Sequence, residues 1–397
     1  MEPLVLLCLG FVAYTYLGYP ILLAISASVR EAWDGVHFLL GGPDRRARHR
    51  DDHWPTLSIL VAAHNEESCI RQKIENCLAL DYPPDRLEVL VWCDGCDDRT
   101  FELARSVADE RVTVLESARS GKAGVLSRLA SRARGDVLLL TDANVLFERG
   151  AARALARHFQ NPSVGAVVGR LRLYSRATAG YQESIYWKYE TVIKYYEGKL
   201  GCVLGANGGI YAVRRLAFPP LRENTIIEDF VVPVRIALRG WRVPYEPEAV
   251  AFEELAPTVN DEFGRRARIG AGNWQSLALI PEILNPRTGF VHFAFVSHKL
   301  LRWLAPLWLA VALVISVPLA FEGDTLARLL LASQLAFYGL AVAGWLRLRG
   351  PLRGASSATF YFVSMNVALA VGFWRFARGT QRAAWQRTDR PTPRRAA

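Results

Sequence analysis

Three short polar segments could hold a charged ligand, and each follows an apolar run in the first half of the chain. They are AAHNEE at 62–67, CDGCDD at 93–98 and TDAN at 141–144. Ligands of parallel α/β sheets bind outside the carboxyl ends of the strands, so segments at three such ends would border one crevice. We therefore expect the carboxylate of Asp94, which ends the second run, to point into that crevice.

Asp142 and Asn144 stand two residues apart at the end of the third run. Side chains at i and i+2 of an extended chain face the same way, so both oxygens would lie on one face. Such oxygen ligands suit Mg²⁺ or Mn²⁺, which would also bind substrate phosphates. Lys122, in GKAG at 121–124, begins a predicted helix and could meet a phosphate there, although the segment lacks the P-loop pattern.

Cys93 and Cys96 have the CxxC spacing of a zinc or redox pair. The other cysteines are scattered and add no second pair that would complete a tetrahedral zinc site. A chain of 397 residues can also bury a large core without disulfides. We interpret the two cysteines as small side chains in the turn that presents Asp94, in a reducing environment.

Short apolar runs alternate with helical patterns between about residues 55 and 290. This alternation predicts an α/β fold with a mixed, mostly parallel sheet flanked by helices. The predicted strands are 57–63, 87–94, 112–117 and 136–144, and the predicted helices are 66–80, 99–108, 121–133 and the aromatic-rich 181–197.

Long apolar segments at both ends of the chain predict membrane helices. Residues 4–25 carry no charge and are long enough to cross a hydrocarbon layer of about 30 Å. Further candidates are 303–321, 326–346 and 357–374. Residues 290–302 precede them and mix aromatic with basic side chains, as an interfacial helix does.

The net charge of +10 comes mostly from arginine, and its placement predicts the orientation of these helices. By the positive-inside rule the basic segments 45–50 and 347–354 belong in the cytoplasm, and the acidic 322–325 belongs outside. Three C-terminal spans would then leave the arginine-rich tail outside, so either the last segment re-enters or the number of spans differs by one. The basic residues cluster near membrane edges, which favours lipid contact over nucleic-acid binding.

Residues 55–305 resemble the inverting family-2 glycosyltransferases of the GT-A fold, which are related to cellulose and hyaluronan synthases. WCDGCDDRT is similar to the family segment V-x-D-G-S-x-D-x-T, SGKAGVL to G-K-A-x-A-L-N, and TDAN to the metal-binding D-x-D. LGANGGIYAVRR at 204–215 resembles the acceptor loop, and residues 226–249 resemble T-E-D-x-x-L-x-x-R-L-x-x-x-G-W-R-V-x-Y-x-P-x-A. Residues 263–275 stand where processive synthases carry Q-x-x-R-W, but here only the arginines are present.

The resemblance implies a role for residues along the whole domain. Asp229 would be the general base, with Glu228 beside it, and Asp142 with Asn144 would hold Mg²⁺ or Mn²⁺. The expected nucleotide-sugar-binding residues are Ala63, Asn65, Glu66, Asp94, Lys122, Asp142, Arg266 and Arg268. The expected acceptor-binding residues are Gly205, Asn207, Gly208 and Trp274. His64 would either donate to the nucleotide or serve the turn structurally.

The expected activity is transfer of a sugar, with inversion, from a nucleotide-diphosphate sugar such as a UDP-sugar. The acceptor would be a saccharide or a lipid-linked molecule at the membrane, in the synthesis of cell-surface polysaccharide or glycolipid. Membrane lipids and polysaccharide-assembly proteins are the other expected partners, and nucleic acid is not. The expected location is the cell membrane, with several spans and a cytoplasmic catalytic domain.

The expected organisation follows from these segments. It comprises a transmembrane anchor (1–28), a basic linker (29–54), the GT-A domain (55–289), an interfacial helix (290–302), membrane segments (303–376) and a basic tail (377–397). One alternative is an inactive nucleotide-sugar-binding membrane protein, because Asn144 replaces an acidic ligand and the arginine motif is partial. A transporter is disfavoured, because charges inside the apolar segments are few.

Overall fold

The computed structural model describes residues 1–41, 54–175, 180–181, 185–254, 259–346, 348 and 350–381. The expected basic segment 45–50 and the tail beyond residue 381 lie outside these ranges. The chain divides into two compact units. The sheet unit contains Leu23–Pro257 and Leu279–His292, and the helical unit contains Met1–Leu22, Thr258–Ala278 and Phe293–Gln381.

Nine strands of the described residues form one sheet in the sheet unit. They are β1 (Leu57–Ala63), β2 (Leu87–Asp94), β3 (Val112–Ser117), β4 (Val137–Asp142), β5 (Leu146–Phe147), β6 (Ala166–Ser175), β7 (Gly180–Tyr181), β8 (Tyr211–Arg214) and β9 (Tyr245–Glu254). Their order is β3-β2-β1-β4-β8-β6-β9-β5, with β7 beside β6. The pairs among β1, β2, β3 and β4 are parallel, whereas β8 runs antiparallel to both β4 and β6. The expected mixed, mostly parallel sheet is therefore confirmed.

Helices flank this sheet and make up the helical unit. They are α1 (Glu2–Ala13), α2 (Tyr19–Leu39), α3 (Ile70–Leu78), α4 (Thr100–Arg105), α5 (Lys122–Arg132), α6 (Ala151–Ala156), α7 (Ile185–Leu200), α8 (Glu228–Leu238), α9 (Val259–Leu279), α10 (Phe290–Ala294), α11 (Leu301–Trp303), α12 (Ala305–Phe321), α13 (Thr325–Trp345) and α14 (Arg353–Ala377). β1 is buried at every one of its positions. A strand covered on both faces reads as a continuous apolar run, which is why its bounds could be predicted.

The predicted strands and helices differ from the observed ones mainly at their ends. β1, β2 and β3 have the predicted bounds, whereas β4 ends at Asp142, before the predicted residue 144. The helix predicted at 66–80 begins only at Ile70, because the preceding residues form the turn after β1. The helix predicted at 181–197 begins at Ile185, because residues 180–181 pair with β6 as a strand.

Three helices of the described residues are long and apolar enough to cross a membrane: Glu2–Leu39, Thr325–Trp345 and Arg353–Ala377. The first is longer than the predicted segment 4–25, since it continues through a π-helical turn to Leu39. A fourth candidate is a pair of helices bent by 54°, Phe290–Trp303 with Ala305–Phe321. The expected interfacial helix at 290–302 is thus one arm of this bent pair.

Two π-helical segments face each other in the helical unit, Tyr14–Gly18 and Phe295–Leu300. The hydroxyl of Thr15 donates to the carbonyl of Ser297 at 2.6 Å, and the hydroxyls of Tyr14 and Ser297 lie 2.9 Å apart. A π-helical turn disturbs the regular ladder of backbone hydrogen bonds, and side-chain hydroxyls can satisfy the carbonyls that it leaves. These bonds hold the two irregular segments together.

A buried ionic cluster in the sheet unit joins β9 to the segment that follows α6. Glu246 is 3% exposed, and its carboxylate accepts hydrogen bonds from Arg157 Nη2 at 2.7 Å and from His158 Nε2 at 2.6 Å. Burial acts to raise the pKa of Glu246, but these hydrogen bonds outweigh it and leave the pKa below its ordinary value. The cluster therefore stabilises the fold while Glu246 is ionised.

Glu246→Gln is expected to lower the free energy of unfolding by about 1.5–3 kcal/mol near neutral pH, the range for hydrogen bonds to a charged group. Because the folded pKa lies below the ordinary 4.5, the contribution is complete above that pH and is lost as the pH falls through the folded pKa. Unfolding of wild type and variant, followed from about pH 7 to about pH 3, measures this difference. Glu248→Gln is the control, since its exposed carboxylate binds the same Arg157 at 2.7 Å. An equal loss of stability in both variants would contradict the role of the buried cluster.

Candidate active site

The carboxyl ends of β1, β2 and β4 lie side by side at one edge of the sheet. Ala62 of β1 pairs with Asp142 of β4, and Ala63 pairs with Cys93 of β2. Strands that follow β1 in the chain thus lie on both sides of it, which is the kind of switch point where α/β proteins bind ligands. The three polar segments follow these strands and lie at this edge.

Asp94 does not point into an open crevice, contrary to our expectation. It is 1% exposed; its Oδ1 accepts hydrogen bonds from the N–H and the hydroxyl of Ser120 at 2.7 and 3.0 Å, and its Oδ2 accepts one from the N–H of Gly121 at 2.8 Å. Gly121 directly precedes α5 and adopts a φ of +87°, a conformation that favours glycine. Asp94 therefore fixes the start of α5, and with it Lys122, whereas its contact with a nucleotide stays a prediction.

Lys122 connects two carboxylates from distant parts of the chain. Its Nζ lies 2.6 Å from Asp142 Oδ1 and 2.6 Å from Glu228 Oε1. Burial acts to lower the pKa of Lys122, but these carboxylates outweigh it and hold the pKa well above its ordinary value. Lys122 therefore stays positively charged and balances the negative charge of this cluster.

Glu228 and Asp229 form the first turn of α8, where the partial positive charge of a helix N-terminus stabilises carboxylates. The carbonyl of Asp229 accepts a hydrogen bond from the N–H of Ala206 at 2.7 Å, which places the 204–209 loop against this turn. Burial, and next the negative charge of Glu228, raise the pKa of Asp229 to about 6. The Asp229 carboxylate is thus a stronger base than an ordinary aspartate, and it keeps part of its surface exposed.

Gly208 marks the point where these charged groups meet. A Cβ atom on Gly208 would lie 3.4 Å from Asp229 Oδ2, 3.4 Å from Lys122 Nζ and 3.5 Å from Asp142 Oδ2. Groups from α8, α5 and β4 therefore surround one small volume, which the glycine leaves open. The residues expected as base, phosphate ligand and metal ligand come together here.

Asn207 and Gly205 shape the loop that carries Gly208. The Oδ1 of Asn207 accepts a hydrogen bond from Lys194 Nζ at 2.5 Å, and its Nδ2 donates to the carbonyl of Gly169 at 3.0 Å. Gly205 adopts a φ of +95°, which allows the chain to turn beside α8. The Asn207 amide, which is 8% exposed, holds this loop in place, and its expected contact with an acceptor stays a prediction.

Asn65 and Glu66 tie the turn after β1 to the turn after β2. Asn65 adopts a φ of +56°, which asparagine tolerates better than most residues, and its Oδ1 accepts a hydrogen bond from the N–H of Asp97 at 3.0 Å. The N–H of Glu66 donates to Thr100 Oγ1 at 2.7 Å. Both side chains are partly exposed, and their expected contact with a nucleotide stays a prediction.

Ala63 and His64 are buried within the same turn. Ala63 is 0% exposed, which excludes the expected nucleotide contact through its side chain. The Nδ1 of His64 donates to the carbonyl of Asp94 at 2.8 Å, and its Nε2 contacts Arg119. Of the two roles expected for His64, the structural one agrees with these contacts.

Asn144 lies in the turn after β4, since that strand ends at Asp142. Asp142 and Asn144 therefore do not lie on one face of an extended strand, contrary to our expectation. The Nδ2 of Asn144 instead donates to Glu253 Oε1 at 3.4 Å. The position of Asn144 therefore does not support its expected role as a metal ligand.

Lys73 fixes both ends of this turn and was missed by the sequence analysis. It is 0% exposed, and its Nζ donates to Thr141 Oγ1 at 2.8 Å and to the carbonyl of Val145 at 2.5 Å. The bonds therefore hold the residues on either side of the segment that presents Asp142. A signal existed in the sequence, because Lys73 stands at helical spacing on the buried face of α3, whose buried residues are Ile70, Lys73, Ile74 and Cys77.

Arg266, Arg268 and Trp274 all lie on α9, in the helical unit. The Nε of Arg266 donates to Glu262 Oε1 at 2.7 Å. Trp274 packs against aromatic rings of the same unit, with ring centroids 6.2 Å from Trp303 and 5.0 Å from Phe373. The expected roles of the two arginines and of Trp274 stay predictions.

Comparison with known proteins first gives the class of fold. The structure is similar to that of the mannosyltransferase PcManGT from Pyrobaculum calidifontis, solved in complex with GDP-Man and Mn²⁺, with a TM-score of 0.66. The likeness covers 94% of this chain and 99% of that chain at 23% sequence identity, so it concerns the fold. The fold is GT-A-like.

Sequence comparison then relates one part of the chain to a family. Residues 58–215 match the model of the Glycosyl transferase family 2 and form a domain of that family. The chain is 28% identical over 237 residues to the probable glycosyltransferase YdaM of Bacillus subtilis (strain 168), and the aligned residues make up 55% of each protein. It is 25% identical over 242 residues to a poly-beta-1,6-N-acetyl-D-glucosamine synthase of Staphylococcus aureus (strain COL), which covers 57% of this chain and 56% of that protein. The chain thus spans a little over half the length of these relatives.

Proposed function

We propose that this protein is a membrane-bound inverting glycosyltransferase. It transfers a sugar from a nucleotide-diphosphate sugar, a UDP-sugar in our proposal, to a saccharide or lipid-linked acceptor. The observation that carries the proposal is the meeting of Lys122, Asp142 and Asp229 around Gly208 within and beside the family 2 domain. This arrangement provides positive charge for a leaving diphosphate and a carboxylate for an acceptor hydroxyl.

Asp229 acts as the general base in this proposal. As the acceptor hydroxyl attacks the anomeric carbon, its proton passes to the Asp229 carboxylate, and the bond between the sugar and the diphosphate breaks on the opposite side. General-base catalysis of this kind contributes about 10²–10⁴-fold to the rate. One displacement inverts the configuration at the anomeric carbon, and no covalent intermediate with the protein forms.

Lys122 and Glu228 serve the leaving group. Negative charge grows on the diphosphate as the bond breaks, and the ammonium of Lys122 stabilises it. Glu228 is 6% exposed in its side chain and holds Lys122 at 2.6 Å, so the ammonium is already positioned before the donor binds. A group positioned in advance needs no reorganisation during the reaction, which is the source of its catalytic effect.

Asp142 is the residue that would hold Mg²⁺ or Mn²⁺. Its Oδ2 borders the volume left open by Gly208, which a side chain would fill. No set of three or more His, Cys, Asp or Glu side chains among the described residues is arranged to hold a metal ion by itself. The residues therefore fit an ion held by one carboxylate and completed by substrate phosphates and water. Bound there, the cation would neutralise charge that develops on the diphosphate.

The product that we propose is a cell-surface polysaccharide or glycolipid. The relative named poly-beta-1,6-N-acetyl-D-glucosamine synthase supports a saccharide acceptor. Helices apolar enough to span a membrane support a location in the cell membrane with several spans. The catalytic domain would face the cytoplasm, and membrane lipids and polysaccharide-assembly proteins would be its partners.

A donor screen tests the proposed function. The full chain, purified in detergent, is incubated with Mn²⁺, a panel of nucleotide sugars and native membranes as the acceptor source, and the products are identified by mass spectrometry. We expect release of nucleoside diphosphate together with a glycosylated product. Binding of nucleotide sugars without release of nucleoside diphosphate would favour the inactive binding protein, for which the observed pairing of Asp142 with Lys122 is the supporting observation.

Lys73→Met tests whether the turn beside Asp142 must be held. The variant fills the same space but loses both hydrogen bonds, to Thr141 and to Val145. We expect the Mn²⁺ concentration for half-maximal activity to rise by about 10–100-fold, the range for residues that orient metal ligands, with full activity at saturating Mn²⁺. Arg71→Met on the same helix is the control, because Arg71 pairs only with exposed Glu75 in the described contacts. Identical Mn²⁺ titrations of Lys73→Met and wild type would contradict this role.

A further inference from the structure

Cys93 and Cys96, which we call the thiol pair, both lie beside Ala63 at the end of β2. Cys93 pairs with Ala63 in the sheet, and the Sγ of Cys96 lies 3.7 Å from the carbonyl of Ala63. Gly95 between them adopts a φ of +60°, and a Cβ atom there would come within 2.8 Å of Arg119 Cβ. Glycine is therefore required at the turn between the two cysteines.

The two thiols differ in exposure and in acidity. Cys93 is 1% exposed, whereas Cys96 is partly exposed. The hydrogen bond from Cys93, against the effect of burial and with help from the backbone at Asn65, lowers the pKa of Cys96 to about 7. The same hydrogen bond, together with burial, raises the pKa of Cys93. One partly exposed, acidic thiol beside a protected one is the arrangement found in redox-sensitive pairs.

The thiol pair also lies where the turn after β1 meets the turn after β2. The Sγ of Cys96 lies 3.7 Å from the carbonyl of Ala63. On either side of it, hydrogen bonds join the two turns, from Asp97 to Asn65 and from His64 to Asp94. A movement of Cys96 towards Cys93 would therefore change how the two turns face each other.

We propose that the thiol pair is a modification site, at which a hydroperoxide converts the two thiols reversibly into an intramolecular disulfide. The Cys96 thiolate attacks the peroxide, so that an S–O bond forms, the O–O bond breaks, and water or an alcohol leaves after taking up a proton. The sulfur of Cys93 then attacks the sulfenic acid on Cys96; the S–S bond forms, the S–O bond breaks, and water leaves with the Cys93 proton. Two thiols are oxidised by two electrons and the peroxide is reduced by two.

The consequence of the disulfide rests on the proposed function. The turns after β1 and β2 are where the donor nucleotide is expected to bind, and the bond would draw Cys96 away from Ala63. We expect UDP to bind less tightly to the oxidised protein, by a factor within the about 5–150-fold range that is typical of coupled sites. A thiol reductant restores the original affinity.

The covalent step is tested on the full chain, purified under reducing conditions and treated with hydrogen peroxide. Trypsin releases both cysteines in one peptide, residues 87–99. We expect this peptide to lose the mass of two hydrogen atoms and to resist alkylation until dithiothreitol is added. Cys93→Ser is expected to give a sulfenic acid on Cys96 that dimedone traps, and Cys96→Ser is expected to give neither product.

Cys69→Ser is the matched control, since Cys69 is also partly exposed but its thiol hydrogen-bonds to Glu66 rather than to another cysteine. This variant should still form the disulfide. If the 87–99 peptide of the wild type keeps two alkylatable thiols at peroxide concentrations that oxidise Cys69, the proposal is overturned. Equal UDP affinity in both redox states would overturn the consequence for binding, whereas a protein that binds no UDP in either state would instead refute the proposed function.

Discussion

Replacing Asp229 by asparagine is expected to reduce sugar transfer by about 10²–10⁴-fold, the usual contribution of a general base. Asparagine has nearly the same shape but cannot accept the proton of the acceptor hydroxyl. The carbonyl of Asp229 would still receive its hydrogen bond from Ala206, so the loop that carries Gly208 would stay in place. Release of nucleoside diphosphate measures the loss, and titration with UDP in the presence of Mn²⁺ measures whether donor binding is retained.

Asp109→Asn is the control for this experiment. Asp109 pairs with Arg111 at 2.7 Å before β3, and it has no place in the proposed chemistry. Its variant should transfer sugar at the rate of the wild type. Equal turnover by Asp229→Asn and the wild type would reject Asp229 as the base, and loss of UDP binding in Asp229→Asn would mean that the residue serves binding instead.

Asp142→Asn is expected to reduce transfer by about 10²–10³-fold, the scale for removing one group that stabilises charge in the transition state. The neutral amide would bind Mn²⁺ weakly, and Lys122 would lose one of its two carboxylate partners, since its Nζ lies 2.6 Å from Asp142 Oδ1 and 2.6 Å from Glu228 Oε1. We expect Mn²⁺ to bind weakly even in the presence of UDP. Electron paramagnetic resonance of free Mn²⁺ measures this binding without relying on activity.

Asp136→Asn provides a matched control at the opposite end of the same strand. Asp136 precedes β4 and accepts a hydrogen bond from Thr56 at 2.8 Å. Its variant should bind Mn²⁺ as the wild type does. If Asp142→Asn also binds Mn²⁺ normally in the presence of UDP, the cation is held elsewhere and the proposed metal site is wrong.

The sequence predicted the parallel half of the sheet well, for a physical reason. β1 and β2 are buried at all or nearly all of their positions, so their apolar runs are continuous and end abruptly at polar turns. β6, β8 and β9 were not predicted, because their pairing joins segments far apart in the chain. The register of Val168 with Tyr211 and with Tyr245 is fixed by tertiary packing, which local patterns do not report.

The sequence also indicated which residues belong to the site, but not what each one contacts. The motif around Asp94 suggested a ligand contact, whereas its carboxylate binds the backbone at Ser120 and Gly121. A motif shows that a carboxylate lies at a turn, but it does not show whether that carboxylate accepts hydrogen bonds from a ligand or from backbone N–H groups. The contacts of Lys122 with Asp142 and Glu228 depend on three separate elements and could be seen only in the folded chain.

For the membrane helices too, composition predicted which segments are helical, whereas their bends depend on packing. Apolar composition identified segments at both ends of the chain, and three helices of the described residues meet the requirements of length and hydropathy. The 54° bend between Phe290–Trp303 and Ala305–Phe321 was not predicted, because the break at Leu304 carries no helix-breaking signal except Pro306, which a helix accepts in its first turn. The hydrophobic periodicity of the sequence likewise gave no indication of the π-helical segments.

The most direct measurement is an experimental structure of the full chain with UDP and Mn²⁺, in which anomalous scattering locates the cation. Our account predicts Mn²⁺ bound to the Asp142 carboxylate, a diphosphate shared between Mn²⁺ and Lys122, and Asp229 Oδ2 on the open side of the terminal phosphate. A cation bound away from Asp142, with the diphosphate out of reach of Lys122 and Asp229, would contradict it.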